Sequence, residues 1–370
     1  MIFKGLLALF LILQMAAAGP EWKVAQPDFD WAFPRDHWAH SGYRTEWWYF
    51  TGQLASREDP GRRFGYQFTL FRIGLQPEPS RLDSQWATHS LIMGHAAISD
   101  LGGQRHLFSE VLYREVPLLG GFGAPGDRLI AWSLPPAGGE ERWELLWNGE
   151  AFDLHMSDPV RGMALDLSTR PVKPLVFQGP DGYSRKGKTS NAASQYYSFT
   201  RLQTDGTLTV DGTRFQVEGQ SWMDKEFGSN QLAENQVGWD WFSLQLDGGQ
   251  EIMLYHLRDR SGAIDFARGT WISKTGEARY LEAGEWSVEV TAHWTSPTTG
   301  AVYPARWKVS LEEVEYEIVP LLAGQENRSR LVLDLNYWEG AVSVLNSEGE
   351  EIGQGYVELT GYGTNNRPPV

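Results

Sequence analysis

The residues best equipped for chemistry lie between Gln220 and Arg258 (QSWMDKEFGSNQLAENQVGWDWFSLQLDGGQEIMLYHLR), the densest mixture of acids and aromatics in the chain. Side chains alternate across a strand, so Trp222, Asp224 and Glu226 share one face and Met223, Lys225 and Phe227 take the other. Carboxylates two residues apart stand about 7 Å from each other along a strand. On an apolar face, loss of water raises a carboxyl pKa, and a like-charged neighbour raises it further. Such a group can act as a general acid near neutral pH. Asp224 and Glu226 are therefore candidate catalytic carboxyls, with Tyr255 as a hydrogen-bonding assistant. The competing reading is that either acid caps a turn or pairs with Lys225 or an arginine, because structural ion pairs mimic active sites. Trp222, Trp239 and Trp241 would wall a ligand site, and Arg258 would donate into it. Aromatic walls suit an isoprenoid or polyene and can stabilise a carbocation through the ring quadrupole. Filling a barrel core asks for the same residues without any such role. In the first half of the chain Glu46, Trp48 and Arg72 hold similar places and complete the candidate ligand-binding set; a buried Glu46–Arg72 pair is the structural alternative.

Other chemistries lack their residues. There is no cysteine, which excludes disulfides, thiolate metal sites and a cysteine nucleophile. Among the eight histidines, His37-x-x-His40 and the pair His89 and His95 have poor ligand spacing, so no metal is expected. Neither a G-x-S-x-G elbow nor a glycine-rich phosphate cradle is present, and no nucleotide or other cofactor is expected. Lys and Arg number 32 against 47 Asp and Glu, a formal charge of −15, which argues against nucleic acid and anionic membrane surfaces as partners. A hydrophobic small molecule is the partner these features suggest.

The elements that must position these residues are strands. Residues 1–18 (MIFKGLLALFLILQMAAA) have the basic start, short apolar run and Ala-rich cleavage pattern of a secretory signal. The expectation is a secreted or periplasmic protein with no stable membrane span once that segment is cleaved. Glu21 to Ser41 reads as an extended arm across a barrel mouth. From Glu46 onward, short apolar or aromatic stretches are separated by Gly, Pro and Asp turns with no sustained helical period, which argues for an antiparallel barrel or sandwich. The polar stretch Gln178 to Ser194 reads equally as a lid or as a surface loop. Turn signals at Thr204-Asp205-Gly206 and Asp211-Gly212 suggest a boundary near 205, giving domains 19–205 and 206–370. An internal echo supports duplication. Trp47-Trp48-Tyr49-Phe50-Thr51-Gly52-Gln53-Leu54 aligns with Trp239-Asp240-Trp241-Phe242-Ser243-Leu244-Gln245-Leu246, each followed by a turn and an apolar strand ending in Arg72 or Arg258.

Four motifs carry a resemblance across essentially the whole chain past the signal: Glu46-Trp47-Trp48-Tyr49-Phe50-Thr51-Gly52, Ser221-Trp222-Met223-Asp224-Lys225-Glu226-Phe227, Gly238-Trp239-Asp240-Trp241-Phe242-Ser243 and Tyr356-Val357-Glu358-Leu359-Thr360-Gly361-Tyr362. They resemble the signatures of secreted AttH-like proteins, a family grouped with bacterial carotenoid 1,2-hydratases (hydroxyneurosporene synthases). The resemblance implies an all-β fold of two tandem lipocalin-like antiparallel β-barrel domains. It also implies acid–base chemistry of the hydratase or hydrolase type, in which a carboxylic acid protonates an isoprenoid double bond and water adds to the cation. The hydratase branch reads roughly Asp-His-x-Trp-Gly where this chain has Asp224-Lys225-Glu226-Phe227-Gly228, and Tyr-x-Asp where it has Tyr255-His256-Leu257. Two functions follow from these residues. One is an enzyme using Asp224 as acid, with Glu226 and Tyr255 assisting; the other is a non-catalytic carrier for a hydrophobic ligand in the cell envelope.

Overall fold

Alternation of apolar and polar residues, broken by turn chemistry, builds strands along nearly the whole chain. The computed structural model describes residues 21–188, 192–333, 335–363 and 367–368, so the signal-like residues 1–18 lie outside the described residues. It is all-β, with two curled antiparallel sheets forming a near-barrel and a half-barrel of lipocalin-like type. Among the described residues the first sheet has thirteen strands and the second ten. In the first, the strand Thr45–Ser56 lies between Arg63–Gly74 and Thr213–Asn230; in the second, Gln236–Leu246 lies between Glu251–Asp259 and Glu351–Thr360. The two echoing segments thus occupy equivalent places, each between its hairpin partner and the last strand of its sheet.

The echo has a mechanical use. Gln53 Nε2 donates across the seam to the carbonyls of Val342 (2.8 Å) and Gly355 (3.0 Å) of the second sheet. Its counterpart Gln245 donates from the second sheet to Thr200 (2.8 Å) and Ser221 (2.9 Å) of the first. Both glutamines are buried. Removing either amide strands two buried carbonyls, so Gln53→Ala and Gln245→Ala should each cost about 1–3 kcal/mol. Urea denaturation of the two single variants checks this; a loss below about 0.5 kcal/mol in both would mean the clamp does not bind the sheets together.

The chain passes between sheets at residues 231–235, not near 205. Residue 205 lies inside the strand Ala193–Val210, and Asp211-Gly212 turns that strand into Thr213–Asn230 within the same sheet. Asp211 and Gly212 have φ of 51° and 76°, so the turn signal is genuine but marks a hairpin. The true crossing, Gln231-Leu232-Ala233-Glu234-Asn235, carries no Gly or Pro to announce it. Arg330 to Leu335 alternates like a strand in sequence, yet residues 330–333 are irregular, with Leu331 and Leu333 exposed. Side chains bind its backbone instead: Arg330 N–H donates to Glu110 Oε1 of the first sheet and Val332 N–H to Ser329 Oγ.

Three apolar clusters follow from this layout. One fills the first sheet around Trp48, Phe50, Phe68 and Trp143, and one fills the second around Phe242, Trp307 and Trp338. The third lies on the seam and contains Tyr49, Trp222, Trp241, Tyr255 and Tyr356. The N-terminal arm packs on the first sheet, with Trp31 edge-on to Tyr197 and His37 bonded to the Tyr197 hydroxyl at 2.7 Å.

Candidate functional site

Register brings the acids to the seam. Tyr49 is the cross-strand partner of Asp224, and Trp47 of Glu226, so these four side chains share one face of the first sheet. From the second sheet Trp239, Trp241, Tyr255, Leu257 and Glu358 face them. Between the sheets lies a cavity, partly open to solvent, half of whose lining residues are aromatic.

Asp224 is the most perturbed acid that was expected from sequence. Its carboxylate accepts hydrogen bonds from the Tyr196 hydroxyl (2.6 Å), the Trp222 indole N–H (2.7 Å) and the Ser198 hydroxyl. Burial raises its pKa, the three donors oppose that, and the nearby Glu226 charge adds to the rise; the result is about 7. Trp222 therefore acts on Asp224 and does not wall the cavity. Trp239 and Trp241 do wall it.

Glu226 and Tyr255 reach the cavity in different roles. Glu226 accepts from Ser194 and is paired with Lys186 at 2.6 Å. The Lys186 ammonium lies 4.5 Å from the centre of the Tyr255 ring and 4.9 Å from that of Tyr196. Tyr255 donates its hydroxyl to the Arg185 carbonyl at 2.6 Å. Glu226 and Tyr255 thus hold the 183–186 segment, and with it Lys186, against the cavity. The polar stretch that read equally as lid or surface loop supplies part of the wall.

Sequence reasoning missed Glu358. It lies in the fourth family motif, and its alternation with Tyr356 on one strand could have marked it as inward-facing. Its carboxylate accepts from the Trp239 indole at 2.8 Å. Burial raises its pKa to about 7, with the charges of Asp224 and Glu226 contributing against the Trp239 hydrogen bond. Behind it, its cross-strand partner Glu339 is fully buried and its pKa is pushed well up, first by burial and then by Glu358. For Asp224 and Glu358 the folded chain keeps protons that the unfolded chain releases between about pH 4 and 7. Their contribution to stability is therefore complete below about pH 4 and lost as pH rises through about 7, a swing of a few kcal/mol (on the order of 1.4 kcal/mol per pKa unit). Glu358→Gln should flatten the decline in unfolding free energy between pH 4.5 and 7.5. An unchanged slope would show that Glu358 is ionised throughout.

Other expected ligand residues lie elsewhere. Trp48 is one register step off the seam face and sits in the first core, its indole bonded to the His37 carbonyl at 2.7 Å. Arg258 pairs with Asp240 at 2.9 Å and covers the Tyr362 ring, so it is committed to the second sheet. Glu46 and Arg72 are cross-strand neighbours and border a second chamber, but Glu46 pairs with Lys225 and His40 while Arg72 donates to the Tyr43 and Ser41 carbonyls. Among the described residues no group of three or more His, Asp or Glu side chains is placed to hold a metal ion. None of the helices among them is long and apolar enough to cross a membrane.

The AttH-like family model matches residues 24–362. No curated protein matches the chain. Among solved structures, an AttH protein of Nitrosomonas europaea is 31% identical, with 92% of this chain and all of that one covered at a TM-score of 0.80. Kievitone hydratase of Nectria haematococca shares the fold at 14% identity, with 88% of this chain and 91% of that one covered at a TM-score of 0.63. By the family match over most of its length and the full-length structural likeness, the chain belongs to the AttH-like family.

Proposed function

We propose that the protein is an exported hydratase-like enzyme that acts on an apolar, isoprenoid- or lipid-like molecule in the seam cavity. The observation that carries this reading is Asp224, a buried carboxyl with pKa near 7 facing an aromatic-walled cavity that also holds Glu358. Protonated Asp224 gives its proton to one carbon of a double bond. The positive charge on the other carbon is stabilised by the faces of Trp241, Trp239 and Tyr196. Water bonds to that carbon, and the Glu358 carboxylate takes the proton that water releases. Exchange with solvent then returns the proton to Asp224, so the net change is addition of water. Glu226 and Tyr255 assist by positioning Lys186. That a hydratase uses the same fold is consistent with this reading.

The test is to extract the molecule that co-purifies with the protein, identify it, and incubate it with fresh protein in ¹⁸O-labelled water. A hydrated product carrying the label supports the enzyme. A ligand that binds stoichiometrically and returns unchanged and unlabelled would instead establish a carrier.

A further inference from the structure

Beyond Trp47, Phe71, Trp239, Tyr337 and Glu358 a second chamber adjoins the seam cavity. Those five residues line both the main cavity and this second chamber. Ile73, Met93, Leu335 and Pro368 give it apolar wall, and Thr45 and Thr360 also border it. The charged groups at its edge, Glu46 and Arg72, are already partnered. One polar group is not. His95 is 1% exposed and lines this chamber, and its Nε2 has no hydrogen-bond partner.

The tautomer of His95 follows from its other nitrogen. His95 Nδ1 lies 2.7 Å from the Tyr337 hydroxyl, and that oxygen accepts a hydrogen bond from Gln67 Nε2. Assigning the tyrosine proton to Nδ1, the nearest acceptor to that hydroxyl, puts the imidazole proton on Nε2. Burial keeps the ring neutral, its pKa lowered to about 3. Stacking on Tyr337 and edge contacts with Phe71 and Phe108 fix the ring plane. A rigid, unsatisfied N–H in this buried position lowers stability unless something accepts from it.

We propose that the second chamber holds the far end of the substrate and that His95 selects there for an acceptor oxygen. The substrate is then an elongated, mostly apolar molecule with its reacting double bond beside Asp224 and a carbonyl, ether or hydroxyl oxygen at the opposite end. Which end reacts rests on the acid–base reading above; the selection by His95 does not. A site built to donate to one oxygen discriminates strongly against an analogue that lacks it.

The probes are geranylacetone and farnesylacetone, acyclic terpenoid ketones with a trisubstituted alkene at the far end, and the matching hydrocarbons without the carbonyl. Binding is read by quenching of tryptophan fluorescence. The ketones should bind wild type about tenfold more tightly than the hydrocarbons. His95→Phe should erase that preference while hydrocarbon affinity stays within about twofold. Should His95→Phe fail to fold, ¹⁵N-histidine NMR of the wild type carries the test, with the His95 Nε2–H signal shifting on addition of ketone and not of hydrocarbon. Equal affinities in wild type, no binding by either class, or a preference that survives in His95→Phe would overturn the proposal. Asp224→Asn separates the two readings: it should keep the ketone preference, whereas its effect on turnover bears on the acid alone.

Discussion

Asp224→Asn should lower turnover of the co-purifying ligand by about 10²–10⁴-fold while leaving ligand affinity and folding intact. The asparagine is nearly isosteric, and its carbonyl oxygen still accepts from Tyr196, Ser198 or Trp222, so the cavity wall is preserved. What disappears is the transferable proton. In wild type, Asp224 donates only while protonated, so the rate should fall as pH rises through about 7. Glu358 accepts only while ionised, so the rate should also fall as pH drops below about 7. Both limbs belong to the interacting pair, so kcat/KM against pH should be a narrow bell, whose flanks are macroscopic values and not those of single residues. Glu358→Gln should remove the acid limb and leave the alkaline one. If Asp224→Asn retains more than about a third of wild-type turnover, Asp224 is not the acid.

Much of this arrangement was legible in the sequence because it rests on period two. The shared face of Trp222, Asp224 and Glu226 follows from strand alternation alone, and the Trp47/Trp239 echo exposed the equivalent strands of the two sheets. What alternation cannot supply is the choice of face. Trp48 was selected where Trp47 and Tyr49 point into the cavity, a one-residue error that moves a side chain from seam to core. Nor can it identify which strands become neighbours within or between the sheets, which is why Glu358, Lys186 and Tyr196 went unrecognised although they line the cavity. Arg258 looked available because its partner Asp240, eighteen residues earlier, lies beside it only after the hairpin forms.

The face also changes the meaning of the departure from the hydratase-branch motif. A lysine where that branch has histidine reads from sequence as the loss of a base. Lys225, however, is on the opposite face from Asp224, with its ammonium 3.5 Å from the centre of the Trp48 ring and paired with Glu46. Position 225 is a core position, so the change does not remove a proton acceptor from the cavity. At the second departure Leu257 lines the cavity where the branch has an acid, and Glu358 supplies a carboxyl there from another strand.

Lys225→Met should therefore destabilise the protein by about 3–5 kcal/mol without removing the cavity chemistry, because it leaves Glu46 charged and buried. Both side chains of the pair are fully buried. Burial by itself would raise the Glu46 pKa, but the charges of Lys225, then His40 and Arg72, hold it down at about 2. The stabilisation is thus complete above the unfolded value of about 4.5 and is lost as pH falls toward 2. Without Lys225 the strongest of those attractions is gone, so acid unfolding should begin at higher pH than in wild type. Glu46→Gln combined with Lys225→Met removes both charges. The double variant should be less destabilised than the sum of the singles by at least about 2 kcal/mol, the sign of direct coupling. Urea midpoints at pH 5 and pH 7 for the four proteins of this cycle decide the matter. Additive losses would mean that Lys225 acts by packing on Trp48. A selective fall in turnover with unchanged stability would return Lys225 to the reaction as a base.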